Sequence, residues 1–386
     1  MANSQRRVLL MSINALAETN QGGRPHMEDY ACVTFEPDPN GGQAFVAVFD
    51  GHGGRHASSY AKKHLWKNIK HQKGFESRNE HEPVLAALRL AFQETQDCMW
   101  KAVESWPSAR PGMLSTAGTT ASLAIVRGSS LYIGHLGDSG IVLGRDEGVR
   151  DAHGQRRLSA VRLTVDHKPE LESEKSRIEA LGGEVKPGNG GVLRVVWNRV
   201  RQPHTGPVLR STEREQVPFL SVSRSLGDLW SYDFERKDYL VSPVPDVSVR
   251  TIDVKRDRFV ILGSDGLWGV VSPEDAVQFV EKYKGEGNDD VCHALIVECL
   301  RRWRARRLRA DNISVVILYF HEPIRCPEFK PVALNSSNEW TDAGTTSCIG
   351  GRKRVAEVSD AVGLESKRTR NDASDVESSP SDSENN

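Results

Sequence analysis

Acidic residues recur where short apolar runs start or stop. Asp50-Gly51-His52 follows the run 45–49, Ser264-Asp265-Gly266 follows 259–262, and Asp138 follows 131–136. Asp311-Asn312 precedes the run 313–320, and Glu28-Asp29 precedes 31–35. A carboxylate at a strand end beside glycine can point into a shared cleft while the backbone comes close to a ligand. Several such carboxylates together repel one another unless cations sit between them, and magnesium or manganese, hard ions that prefer oxygen ligands, are the natural partners. Asp-Gly is also common turn chemistry. Spacing alone leaves both readings open.

The elements that must position these groups read as short strands alternating with longer helical patterns. Strands are expected at 31–35, 45–49, 119–126, 131–136, 141–144, 247–252, 258–263 and 313–320, and helices at 55–70, 82–103, 170–181, 273–282 and 289–306. The strands arrive mostly in consecutive pairs, which favours hairpins and antiparallel sheet over parallel crossovers. In the last helix Cys292, Leu295, Ile296, Cys299, Leu300 and Trp303 form one apolar stripe. The six arginines between Arg301 and Arg309 are read as a solvated helix face rather than a binding patch. Residues 185–218 are rich in Gly, Pro and Arg and are expected to be a long connection, an inserted loop that is either functional or disordered. Past Phe320 the apolar periodicity ends, and 321–386 carries 8 Lys+Arg against 12 Asp+Glu. That segment is expected to be a mostly disordered tail.

With 51 Lys+Arg against 52 Asp+Glu the chain lacks the basic excess of a general nucleic-acid binder. No apolar run approaches a membrane span, and no secretory signal is expected. Six cysteines without a zinc spacing suit a reducing compartment.

Eight motifs then occur in one order. They are Gly23-Arg24-Pro25-His26-Met27-Glu28-Asp29, Val48-Phe49-Asp50-Gly51-His52-Gly53-Gly54, Gly118-Thr119-Thr120-Ala121 and His135-Leu136-Gly137-Asp138-Ser139. Leu163-Thr164-Val165-Asp166-His167-Lys168-Pro169, Leu220-Ser221-Val222-Ser223-Arg224-Ser225-Leu226-Gly227-Asp228, Gly263-Ser264-Asp265-Gly266-Leu267-Trp268 and Asp311-Asn312-Ile313-Ser314 complete them. Over residues 10–320 the chain resembles the metal-dependent type-2C protein serine/threonine phosphatases. The resemblance implies an α/β (α+β) sandwich of two packed, mainly antiparallel sheets flanked by helices, with a dimetal cleft at one end.

It further implies two magnesium or manganese ions bridged by Asp50, one completed by Asp265 and Asp311 and the other bound by the Gly51 carbonyl. Glu28 and Asp29 would act through metal-bound waters, and Asp138 matches a position associated with a weaker third ion. A metal-activated water would attack phosphorus directly. Arg24 would grip phosphate oxygens, and His52 would protonate the leaving Ser or Thr oxygen. Two departures stand out: Gly140 where many relatives have Arg, and Gly269 where many have Asp.

The insertion, with Arg194-Val195-Val196-Trp197, resembles that of the DNA-damage-induced nuclear delta branch of the family. That resemblance implies phospho-Ser/Thr-Gln substrates and doubly phosphorylated activation loops of stress kinases. Arg194, Arg199 and Arg201 are candidate substrate-binding residues, since arginines beside the site would draw anionic peptides. Arg352-Lys353-Arg354 and 367–370 read as a bipartite nuclear import signal. A monomer without nucleic-acid or membrane partners is expected. Three rivals are weighed. Cys348 and Arg354 fit a cysteine-phosphatase spacing but lie in the polar tail. A catalytically inactive phosphoprotein-binding module would need missing metal ligands. Another two-metal hydrolase, such as a nuclease, conflicts with the balanced charge and motif order.

Overall fold

The fold comes from a computed structural model that describes residues 11–37, 42–108, 114–200, 206–207, 209, 211–218, 220–285 and 290–322. Two five-stranded sheets carry it. In spatial order, one contains Ser12–Asn20, Ile313–His321, Asp257–Gly263, Gly140–Arg145 and Ser159–Arg162. The other contains Asp246–Thr251, Ser130–Leu136, Ala121–Arg127, Gln43–Phe49 and Tyr30–Glu36. Every pairing within both sheets is antiparallel. The helices, in chain order, are α1 (His56–His71), α2 (Glu82–Ala102), α3 (Glu172–Ala180), α4 (Asp265–Trp268), α5 (Pro273–Gly285) and α6 (Val291–Ala305).

Side chains alternate across a strand, so each central strand serves two cores. Val46, Val48, Ala124 and Ile133 meet Ile141, Leu143, Val260, Leu262 and Val316 between the sheets. Their neighbours Phe45, Ala47, Phe49, Leu123 and Ile125 turn outward into a cluster with Ala57, Ala61, Leu65 and Ile69 of α1 and Leu88 and Phe92 of α2. On the other side, Phe259, Ile261, Val315 and Ile317 are covered by Val277 of α5 and by Leu295, Ile296 and Cys299 of α6. Burial on both faces explains why these strands read as unbroken apolar runs. The expected sandwich is therefore present, and the apolar stripe of α6 is its inward face.

The segment after α3 corrects one expectation. Gly183–Pro187, Leu193–Val200 and Arg214–Pro218 form a three-stranded antiparallel sheet, not an irregular connection. The apolar and β-branched residues of 193–197 pair well in a pleated sheet, and Val195 is buried against Ile178, Leu240 and Val241. Local packing thus outweighs the turn-rich composition. Ser12–Asn20 also went unread, because its half-polar sequence becomes a strand only by pairing along Ile313–His321.

Among the described residues, Cys32, Cys98, Cys292 and Cys299 are free thiols. No helix among them is long and apolar enough to cross a membrane. The tail past Glu322, with Cys348, Arg354 and the basic clusters, lies outside the described residues.

Candidate active site

Antiparallel pairing brings the acidic motifs to one end of the sandwich. Tyr30 pairs with Phe49, Ala121 with Leu136, and Gly263 with both Gly140 and Val315. The ends that carry Asp29, Asp50, Asp138, Asp265 and Asp311 therefore converge. A cleft of about 370 Å³ is lined by Arg24, Glu28, Asp50, Gly51, His52, Asp138, Arg194, Asp265 and Asp311, among others. Asp29 sits behind this lining, 3% exposed, with Oδ2 accepting from Ser314 Oγ at 2.9 Å. Arg199 lies in the strand Leu193–Val200, its backbone opposite Glu215. Arg201 is outside the described residues.

Backbone contacts hold the carboxylates in place. The Asp50 carbonyl accepts from Thr120 N at 2.9 Å and Thr119 Oγ1 at 3.1 Å, while Asp50 N donates to Thr120 Oγ1 at 3.2 Å. Gly51 must be glycine, because a Cβ there would lie 2.3 Å from the Glu28 carbonyl oxygen and 2.6 Å from Ser58 Oγ. Asn312, not singled out beforehand, staples the N-terminal motif. Its Oδ1 accepts from Glu28 N at 2.8 Å, and its Nδ2 donates to the Gln21 and His26 carbonyls at 2.8 and 3.1 Å. The two departures sit in tight packing: a Cβ on Gly140 would lie 3.1 Å from Trp268 Nε1, and one on Gly269 would lie 2.8 Å from the Asp265 carbonyl oxygen.

Asp50, Asp138 and Asp265 each place a carboxylate oxygen within 4.8 Å of the other two. Burial, then the neighbouring carboxylates Asp138, Asp311 and Asp29, push the Asp265 pKa up to about 8. Burial and the same kind of repulsion raise Asp50 well above its ordinary value, and burial raises Asp29 to about 6. Asp29 Oδ1 is buried with no hydrogen-bond partner among the described residues. Crowded oxygen donors of this kind fit a divalent cation, which removes the repulsion that burial intensifies. Asp311 lines the same cleft, with its Oδ2 2.5 Å from Arg24 Nη2. Lys168 Nζ stands 3.6 Å from Asp138 Oδ2 and balances part of its charge.

Asp228 is the functional residue that the motif reading passed over. His52 Nε2 lies 2.7 Å from Asp228 Oδ2, and Asp228 is fully buried in a left-handed turn with φ 46°. Ser225 Oγ at 2.5 Å and Trp230 Nε1 at 2.9 Å donate to the two Asp228 oxygens. Gly118 makes the pairing possible, since a Cβ there would meet Asp228 Oδ2 at 2.1 Å and His52 Nε2 at 2.3 Å. Burial alone would lower the His52 pKa, but the charge and hydrogen bond of Asp228 outweigh it and the pKa is raised. A carboxylate that orients an imidazole and stabilises its protonated form prepares a proton donor. Asp228→Asn should therefore lower kcat on a phosphoserine peptide by about 10- to 100-fold, with a much smaller loss on p-nitrophenyl phosphate, whose leaving group departs unprotonated. Equal losses on both substrates would show that Asp228 only supports the fold.

Comparison with known proteins agrees with this geometry. A family model described as Protein phosphatase 2C matches residues 15–313. Protein phosphatase 1E of Mus musculus is 31% identical over 328 residues, which is 83% of this chain but 35% of that protein's length. Probable protein phosphatase 2C 67 of Oryza sativa subsp. japonica is 31% identical over 328 residues, 81% of this chain and 77% of the relative. The crystal structure of a serine-threonine phosphatase 2C from Toxoplasma gondii superposes with a TM-score of 0.64 at 26% identity, over 81% of this chain and 97% of that one. The fold is thus an α/β sandwich with a carboxylate cleft at one end. The chain belongs to the protein phosphatase 2C family.

Proposed function

We propose that this protein hydrolyses phosphoserine and phosphothreonine on other proteins in a metal-dependent reaction. The observation that carries the reading is a single cleft that joins the close triad Asp50, Asp138 and Asp265 to Arg24 and His52. Asp50, the Gly51 carbonyl, Asp265 and Asp311 would hold two divalent ions, with Glu28 and Asp29 reached through waters and a weaker third position at Asp138. Bound ions would supply an activated water and neutralise charge on the phosphoryl group.

The remaining work falls to the chain's own side chains. Arg24 is about half exposed, with the planar fork that grips two phosphate oxygens. Its contact with Asp311 aims it into the cleft. His52, oriented by Asp228, protonates the departing seryl or threonyl oxygen, because an alkoxide leaves poorly. An inactive phosphoprotein-binding module of the same fold is the second reading, and the full set of acidic groups in the cleft argues against it.

The finer assignment rests on the insertion and the tail. Arg194 lines the cleft beside Leu220, Ser221 and Val222, so the inserted sheet borders the site. An arginine there suits phospho-Ser/Thr-Gln sites and doubly phosphorylated activation loops, as in damage and stress signalling. The basic clusters at 352–354 and 367–370 support a nuclear location as part of this reading.

Hydrolysis of a phospho-Ser-Gln peptide, run with magnesium and with excess chelator beside a phosphotyrosine peptide, tests the activity. Turnover confined to the magnesium arm of the phosphoserine peptide is expected, and turnover that survives chelation would refute the metal-dependent reading. Replacing Arg194, Arg199 and Arg201 together by Ala should raise KM for a doubly phosphorylated peptide by about tenfold while sparing a small aryl phosphate. Equal loss on both would assign these residues a supporting role.

A further inference from the structure

The six arginines between Arg301 and Arg309 do not share one environment. Arg301 and Arg302 are neutralised by Glu298, and Arg302 also reaches Asp275 at 2.6 Å. Arg306 Nη1 donates to the Gly269 carbonyl at 2.6 Å, and Arg309 Nε donates to the Gly23 carbonyl. A carbonyl partner fixes a guanidinium but leaves its charge uncompensated. Among the described residues, no carboxylate pairs with Arg304 or Arg307. Arg304, Arg306, Arg307 and Arg309 are all exposed.

Two of these contacts fall on the loops that frame the cleft. Gly269 closes α4, which opens with Asp265, and Trp303 Nε1 braces the same helix by donating to the Gly266 carbonyl at 2.8 Å. Gly23 precedes Arg24, and its N–H donates to the Ala310 carbonyl at 2.9 Å. Between the two anchors Arg307 adopts φ 56°, at a helix end where Arg307 N meets the Arg304 carbonyl and Leu308 N the Trp303 carbonyl. Glycine takes that conformation freely and a side chain does not, so the site holds a charge against its local backbone preference.

We propose that Arg304, Arg306, Arg307 and Arg309 form an anion-reading rim beside Arg24, which takes carboxylate side chains flanking the phosphorylated residue of a protein substrate. Arg309 is held at Gly23, next to the residue placed on the phosphate, so the ligands nearest it would lie within about three residues of the scissile phosphate on an extended peptide. A nucleic acid suits it less, because its phosphates need a basic track over many nucleotides and the chain's formal charge is −1. The inference rests on the phosphatase reading above.

The test compares two peptides bearing a non-hydrolysable phosphonate at serine, one flanked by Asp and Glu and one by Gly and Ala. Their binding to the full chain and to an R304A/R307G variant is read by fluorescence anisotropy, and kcat/KM is read on the matching phosphopeptides. The variant should lose about three- to tenfold on the acidic peptide relative to the neutral one, more at low salt, as expected for exposed charge pairs. Its melting temperature should hold or rise, since Gly at 307 relieves the left-handed residue. An unchanged acidic-to-neutral ratio overturns the rim. So does a single-stranded oligonucleotide that displaces the acidic peptide through the same arginines at comparable concentration. Retained binding preference without any turnover would uphold the rim and sink the phosphatase reading instead.

Discussion

Asp265→Ala is expected to reduce phosphopeptide hydrolysis by at least about a thousandfold while the protein remains folded. The carboxylate stands in the triad with Asp50 and Asp138, and its backbone N–H faces Asp50 Oδ2 at 3.4 Å. Its removal takes away one of the three clustered carboxylates proposed to hold an ion, without opening a large apolar void. Stability should improve in metal-free buffer, because one of several mutually repelling buried carboxylates is gone. Steady-state kinetics in saturating magnesium, with a melting curve in chelator, check both halves. Near-normal turnover in excess metal would show that Asp265 does not belong to the ion-binding set. Lost turnover together with a collapsed fold would point to a structural role.

A second large effect is expected in the metal-free protein, whose stability should fall as pH rises from about 4 to about 8. Asp265 at about 8 and Asp29 at about 6 stand above the ordinary value of 3.8. An acid with a raised folded pKa holds more protons in the folded state than in the unfolded state, so stability declines with pH between the two values. The penalty is absent below the unfolded pKa and complete above the folded one. For one strongly shifted buried carboxylate it is of order several kcal/mol, or a melting temperature lower by about 10 °C in a chain of this size. Excess magnesium should restore most of the loss near pH 8, because it binds the ionised cluster in the folded state only. Thermal unfolding across pH 5–8, with and without magnesium, measures this. A flat profile in chelator would mean that the cluster is not under electrostatic strain.

The acidic strand ends were readable because each sits within a few residues of an apolar run, and Asp50, Asp265 and Asp311 all line one cleft. The sandwich itself came from the resemblance that the ordered motifs carry, and the local pattern agrees with it. Paired short apolar runs favour hairpins, and helical stripes such as Cys292, Leu295, Ile296 and Cys299 specify the faces that cover the sheets. The inserted segment was misread where composition and pairing disagree, since 193–197 becomes a strand only when it finds partners on both sides.

Residue type and local spacing thus offered a set of hard oxygen donors, while the roles expected of Arg24 and His52 came from the ordered motifs and the resemblance they carry. The assignments between them belong to the folded chain. Asp228 lies 176 residues from His52 in sequence, and their contact depends on a left-handed turn and on the missing Cβ of Gly118. Arg24 meets Asp311, and Arg309 meets Gly23, only because Ser12–Asn20 pairs with Ile313–His321. Local preferences act over a few residues, whereas these partners are set by sheet register and by close backbone approach.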